Sequence, residues 1–258
     1  MTESIYSRHW DQYIEREWDV IRQQRGDEVE WPGDEWGNPE AWEHIFQTLF
    51  VRYGAVDTWQ RAVEIGQGAG KYTVKVLGNP DVNVRAYDVS ARFLEVCAER
   101  CEDHVKSGRL DLRQIDVSAP DFLMSDLHDW RRQIDAVYSI DAMVHVDLQY
   151  LMAYLITAAA VLRQDGKLVM TLATTGTEEG FTRLANDVSR YWSAQGSPTG
   201  SGKLEWVSGS MLETLLPRLG FEIDFLWEPS GIFVLFVASL RHPEVGDELA
   251  SNLIASAD

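Results

Sequence analysis

"AVEIGQGAGKYT", residues 62–73, joins a short apolar run to three glycines at alternate positions, 66, 68 and 70. Val63 and Ile65 read as strand, and the residues from Lys71 onward read as the start of a helix. Glycines at such a junction let backbone N–H groups approach a ligand at the mouth of a sheet. Which ligand depends on the remaining letters. A phosphate loop needs G-x-x-x-x-G-K-[ST], which is absent. A dinucleotide fingerprint needs G-x-G-x-x-G, and Lys71 stands where its third glycine would be. Glu64 adds an electrostatic reason, since a carboxylate at a strand exit repels a pyrophosphate and suits a cation.

Outward from this stretch the pattern alternates. Strand-like runs are RAVEI (61–65), NVRAYD (83–88), RLDLRQID (109–116), IDAVYSI (134–140) and GKLVMTLA (166–173). Helical stretches are expected near 70–78, 90–105 and 147–162, with Asp147 opening the last and "RQDG" stopping it. That rhythm predicts βαβ units and a mostly parallel sheet. After a helix near 208–219, "GFEIDFLWEP" and "GIFVLFVASL" are separated by a short Pro-Ser-Gly turn, which makes one of them antiparallel to its neighbour. The expected fold is α/β: a Rossmann-like, seven-stranded, mostly parallel sheet with helices on both faces and an antiparallel C-terminal hairpin.

The first sixty residues differ. They carry 13 acids against five arginines and six of the ten tryptophans. Two helices are expected there, near 8–24 and 39–53, around the turn-rich "GDEVEWPGDEWGNPE". Residues 1–60 read as an N-terminal helical extension, 61–240 as the main domain, and 241–258 as a frayed polar tail.

The chain has 258 residues and a formal charge of −18, from 41 acids against 23 Lys and Arg. Such a surface disfavours unaided nucleic-acid binding. The start lacks the basic and apolar regions of an export signal, and no apolar run reaches a membrane span. A cytoplasmic protein with no membrane partner is expected. Cys97 and Cys101 are the only cysteines, too few for a disulfide framework, and read as buried reduced thiols. Nothing in the sequence speaks to oligomeric state.

An acid followed by G-x-G-x-G resembles the first motif of the class I, Rossmann-like, S-adenosylmethionine-dependent methyltransferases, with Glu64, Gly66, Gly68 and Gly70 matching it. S-adenosylmethionine carries an ammonium and a sulfonium and no phosphate, which suits Glu64. The resemblance continues in order. "AYDVS" supplies Asp88 where the family puts an acid on the ribose hydroxyls, with Val89 beside it. "QIDVS" supplies Asp116 near the adenine amino group, with Val117 as a backbone contact. "DAVYSIDAMVHVD" resembles the fourth motif, with Ser139 and Ile140 near the cofactor. Gln67 falls inside the glycine loop. The resemblance covers about residues 61–240 and implies use of S-adenosylmethionine, with S-adenosylhomocysteine as product.

Methyl transfer from a sulfonium asks the protein mainly for positioning in a dry site. A hydroxyl acceptor must also lose a proton, which a base with a pKa near 7 assists. His145, just beyond strand four, is the candidate base, and the same region in many members that this stretch resembles carries a histidine. The bland alternative is a histidine packing under the loop. His9 and His44 are further candidates if the extension closes over the site, although each is more often a surface residue.

Asp141 could orient an acceptor, alone or through a divalent metal. The later stretch "TLATTGTEEG" supplies no Asp or Asn partner, so no metal is expected. Trp10 and Trp36 in the extension and Tyr191 in the 174–207 region are candidate acceptor contacts, against the alternative that the aromatics are packing. The expected activity is methylation of a hydroxyl on a small-molecule or sugar-like acceptor. N-methylation of an amine or a basic peptide, favoured by the acidic surface, is the alternative, and a degenerate binding module the non-enzyme one.

Overall fold

The computed structural model describes residues 5–115, 125–193 and 204–255. The chain divides into two compact units, residues 1–119 and 120–258.

The first unit opens with helix α1 (Ile5–Gln12), a π-helical turn (Tyr13–Glu17) and α2 (Trp18–Arg25). Helix α3 (Pro39–Ile45) follows, with Asn38 as its cap accepting from the Ala41 N–H at 2.8 Å and a proline in its first turn. A π-helical stretch, Phe46–Tyr53, carries it on. Then come β1 (Arg61–Ile65), α4 (Lys71–Val76), β2 (Asn83–Asp88), α5 (Ala91–Arg100), α6 (Glu102–Lys106) and β3 (Leu110–Gln114). The strands lie in the order β3-β2-β1 and are parallel, Val63 beside Arg85 and Ala86 beside Leu112. Their carboxyl ends share one edge, so the glycine loop after β1 and Asp88 at the end of β2 become neighbours.

The second unit contains β4 (Ile134–Ser139), α7 (Leu148–Val161), β5 (Leu162–Thr174), α8 (Glu178–Ser193), β6 (Trp206–Val207), α9 (Gly209–Arg218), β7 (Phe221–Trp227), β8 (Phe233–Leu240) and α10 (Pro243–Ala255). Strand β5 is the axis of this unit. It runs parallel to β4 and antiparallel to β8, and β8 is antiparallel to β7. The class is therefore α/β, with parallel strands and the antiparallel closing hairpin that the sequence predicts.

Three features depart from the sequence reading. An eighth strand, β6, adds two residues beside the end of β5. Helix α8 occupies part of the 174–207 region, where no helix is among those expected from the sequence. Residues 243–255, read as a frayed tail, are the helix α10. Helix α7 explains the last of these: it is buried almost all round, from Leu151 through Val161, so it needs cover on more than its sheet face. Helix α10 supplies that cover, with Gly246 directly against the Ala159 carbonyl. Arg132 fastens the pair. Its guanidinium donates to the carbonyls of Ala159 (2.7 Å), Leu162 (2.8 Å) and Pro243 (2.6 Å) and pairs with Asp247 at 2.8 Å. The first two bonds satisfy carbonyls that the end of α7 leaves open.

Candidate functional site

In the first unit the glycine loop turns on left-handed backbone: φ is 74° at Gly66, 53° at Gly68 and 80° at Gly70. At Gly70 there is also no room for a side chain, since a Cβ would lie 2.8 Å from the Cys97 sulfur. Asp88 binds this loop. Its Oδ2 accepts from the Gly68 N–H at 3.0 Å and its Oδ1 from the Ser90 N–H at 2.9 Å. Asp88 is 6% exposed, and burial raises its pKa to about 6, against the pull of those backbone N–H groups; Asp11 adds a smaller upward push. Val89, the next residue, is half-buried, and its carbonyl accepts from the Gln114 side chain at 3.1 Å.

Glu64 lies beneath the loop, buried, and accepts from the Thr73 hydroxyl at 2.5 Å. It ties the strand to α4. Gln67 is 5% exposed, yet both polar atoms of its amide are buried with no hydrogen-bond partner. An unpaired buried amide is costly, and a ligand with polar ends would relieve it. Cys97 and Cys101 are free and buried, as the sequence predicts. The Cys97 thiol is held well above its ordinary pKa, first by its hydrogen bond with Cys101 and then by burial.

The N-terminal extension packs against this loop. Tyr13 forms a buried cluster with Ala69 of the loop and Phe93 of α5, and Trp10, Ile14, Ile21 and Trp31 pack around it. Trp10 and Trp36 meet edge to face at 5.7 Å, and Trp36 remains 42% exposed. Asp11 accepts from the Ser90 hydroxyl at 2.5 Å and the Arg92 N–H at 3.2 Å, which brings it close enough to Asp88 to raise that residue's pKa. Lys71, the residue that spoils the dinucleotide fingerprint, donates to the Gly33 carbonyl at 2.8 Å and sits 3.7 Å over the Trp42 ring. The His9 ring lies 4.8 Å from Trp10 with Nε2 buried and unpartnered, and burial lowers its pKa. His44 is exposed.

In the second unit, Ser139 and Ile140 are buried at the carboxyl end of β4. Asp141 turns the chain off the strand with φ at 60°. A 3-10 turn, Met143–His145, follows, and Asp147 caps α7 by accepting from Gln149 and Tyr150 N–H groups. His145 is half-buried on that turn. At the same edge of this unit a groove of about 590 Å³ is lined by Glu178, Glu179, Arg183, Asn186, Ser230 and Gly231 among others. Arg183 is paired with Asp187 at 3.0 Å, so Glu178 and Glu179 set the charge of the groove. Among the described residues no three His, Cys, Asp or Glu side chains gather as a metal site, and no helix is long and apolar enough to cross a membrane.

Asp116, Val117 and the side chain of Tyr191 lie outside the described residues. Sequence reasoning passed over Asp11, Ser90 and Thr171. Ser90 carries a local signal, a cap residue before the α5 pattern, and it accepts from the Phe93 N–H at 3.0 Å. The other two act through contacts distant in sequence.

Residues 62–166 match the family model described as a methyltransferase domain. The O-methyltransferase rstn1 of Aspergillus nomiae is 26% identical over 142 residues, which span 52% of this chain and 59% of that relative. Magnesium protoporphyrin IX methyltransferase from Synechocystis, solved with bound S-adenosylhomocysteine, superposes with a TM-score of 0.61 at 14% identity, covering 90% of this chain and 97% of that one. An O-methyltransferase family protein from Burkholderia thailandensis gives 0.58 at 14% identity, over 78% and 55% of the two chains. The glycine loop with its buried acids lies inside the matched methyltransferase domain, and the α/β architecture is the fold of these solved methyltransferases.

Proposed function

We propose that this enzyme methylates a hydroxyl group on a small, polar acceptor, with residues 61–240 holding the cofactor and residues 1–60 closing on its loop. The observation that carries the cofactor half is Asp88. Burial raises its pKa to about 6 even though it holds the Gly68 and Ser90 N–H groups, and hydroxyl donors from a ligand would offset the remaining cost of keeping it ionised there. Asp88 would accept from the ribose hydroxyls, Glu64 would draw the ammonium through the loop, and Gln67 would use its unpaired amide. Gly66, Gly68 and Gly70 would present backbone N–H groups, with Val89, Asp116, Val117, Ser139 and Ile140 completing the contacts. When bound, the cofactor supplies an activated methyl group on a sulfonium.

The chain's own task is then to orient the acceptor and move one proton. His145 removes the proton of the acceptor hydroxyl and returns it to solvent, with Asp141 orienting the acceptor. The groove beside Glu178 and Glu179 has the volume of a small-ligand site and a lining suited to hydroxyl groups. The similarity to an O-methyltransferase supports oxygen as the acceptor atom. The same two carboxylates, together with the −18 charge, favour a second reading in which the acceptor is an amine. The free, buried thiols fit a reducing cytoplasm.

His145→Ala separates the readings. Under the first, turnover falls roughly 10²–10⁴-fold while S-adenosylhomocysteine affinity is unchanged, and the rise of rate with pH near 6–7 disappears. Full turnover on a panel of hydroxyl and amine acceptors would sink the base assignment and favour the amine.

A further inference from the structure

The loop that carries His145 is held at its first residue by a hydroxyl buried in the neighbouring strand. Asp141 has a left-handed backbone, φ 60°, which aspartate adopts more readily than most non-glycine residues when its side chain bonds locally. Its N–H donates to the Thr171 Oγ1 at 2.8 Å, and the Thr171 hydroxyl returns its own proton toward the Asp141 Oδ1 at 3.3 Å. Thr171 lies on β5 and is 1% exposed. Position 171 lies between buried Met170 and Leu172, where valine would fill the same volume, so the hydroxyl is the informative difference.

From Asp141 the chain has little freedom. Ala142 leads straight into the Met143–His145 turn, closed by the His145 N–H on the Ala142 carbonyl at 3.2 Å. The Val144 carbonyl accepts from the Glu205 N–H at 2.8 Å, and Asp147 fixes the far end as the cap of α7. A turn pinned at both ends transmits the position of its first residue to the side chains it bears.

We propose that Thr171 is a positioning residue for methyl transfer. By holding Asp141 in its left-handed conformation it sets where the 143–145 turn, and His145 on it, stand. This rests on the reading of His145 as the base.

Thr171→Val, Thr171→Ala and Thr171→Ser, each checked for folding by circular dichroism, test it with two independent readouts. Hydrogen exchange at the Asp141 amide reads the bond itself; it should accelerate in Val and Ala and stay slow in Ser. Kinetics read the consequence: roughly tenfold lower kcat in Val and Ala, S-adenosylmethionine KM within about twofold, and a displaced pH limb, with Ser near the parent. The smaller alanine keeps the test available if valine does not fold. Fast exchange with kcat within about twofold of the parent overturns the inference and leaves His145 standing. Failure of Ser to restore the rate also overturns it. Full turnover in His145→Ala overturns instead the base reading on which it rests.

Discussion

Asp88 is where binding and stability pull in opposite directions. Its folded pKa, about 6, lies above the ordinary value of 3.8, so the folded state binds the proton more tightly than the unfolded chain. Between roughly pH 4 and pH 6 its ionisation therefore costs stability, and above pH 6 the full cost, on the order of 3 kcal/mol, is present. Asp88→Asn removes that titration. The stability of the variant relative to the parent, from urea melts, should shift in its favour by up to about 3 kcal/mol between pH 4 and pH 7. A pH-independent difference would mean that the carboxylate is hydrated. In the same variant S-adenosylhomocysteine binding should weaken by about 2–4 kcal/mol at pH 7, because charge-assisted bonds are lost. Asp88 was legible in the sequence because an acid at a strand end, 22 residues after Gly66, is a local pattern. Asp11 was not, since its bond to Ser90 spans 79 residues. Thr171 was hidden differently: in a buried strand a threonine reads as packing.

At the scale of elements, α7 and α10 cross in close contact. A Cβ on Gly246 would overlap the carbonyl group and the Cβ of Ala159. Gly246→Ala should therefore destabilise the protein by about 1–3 kcal/mol, even though alanine gains about 1 kcal/mol in helix propensity, because backbone cannot give way as a flexible side chain would. A rise in thermal midpoint would show that the two helices separate easily. The same junction explains why α10 was missed. Val245, Leu249 and Leu253 stand four apart as a helix requires, but Gly246 and the small or polar residues between them made the stretch read as a tail. Strands β1 to β5, β7 and β8 were visible as apolar runs with turns between them. Strand β6 has two residues and no periodicity to read. In β7 the register shifts between Ile223 and Phe225, and Asp224 there meets Lys167 at 2.9 Å and the Ser239 hydroxyl at 2.6 Å.

Across the whole molecule the charge is lopsided. Local ion pairs such as Lys75–Glu43 (2.6 Å) and Arg92–Glu15 (3.2 Å) join exposed groups and contribute little each. The excess of 41 acids over 23 bases acts everywhere. Raising salt from about 0.01 M to about 1 M shortens the screening length from about 30 Å to about 3 Å, and relief of self-repulsion should outweigh loss of the pairs. A thermal midpoint higher by a few degrees is expected, since each kcal/mol is worth about 2–4 °C at this size. A lower midpoint in salt would assign more stability to the pairs than to the repulsion. The first sixty residues have a different kind of dependence. Trp10, Asp11, Tyr13, Gly33, Asp34 and Trp42 each touch the glycine loop, α4 or α5, through ring packing or bonds to Ser90, Lys71 and Arg100. Substitutions in this segment are therefore expected to disturb the loop, as those in a surface appendage would not. A change on either side of this seam has to be matched on the other, so the demands on the loop extend to residues far from it in sequence.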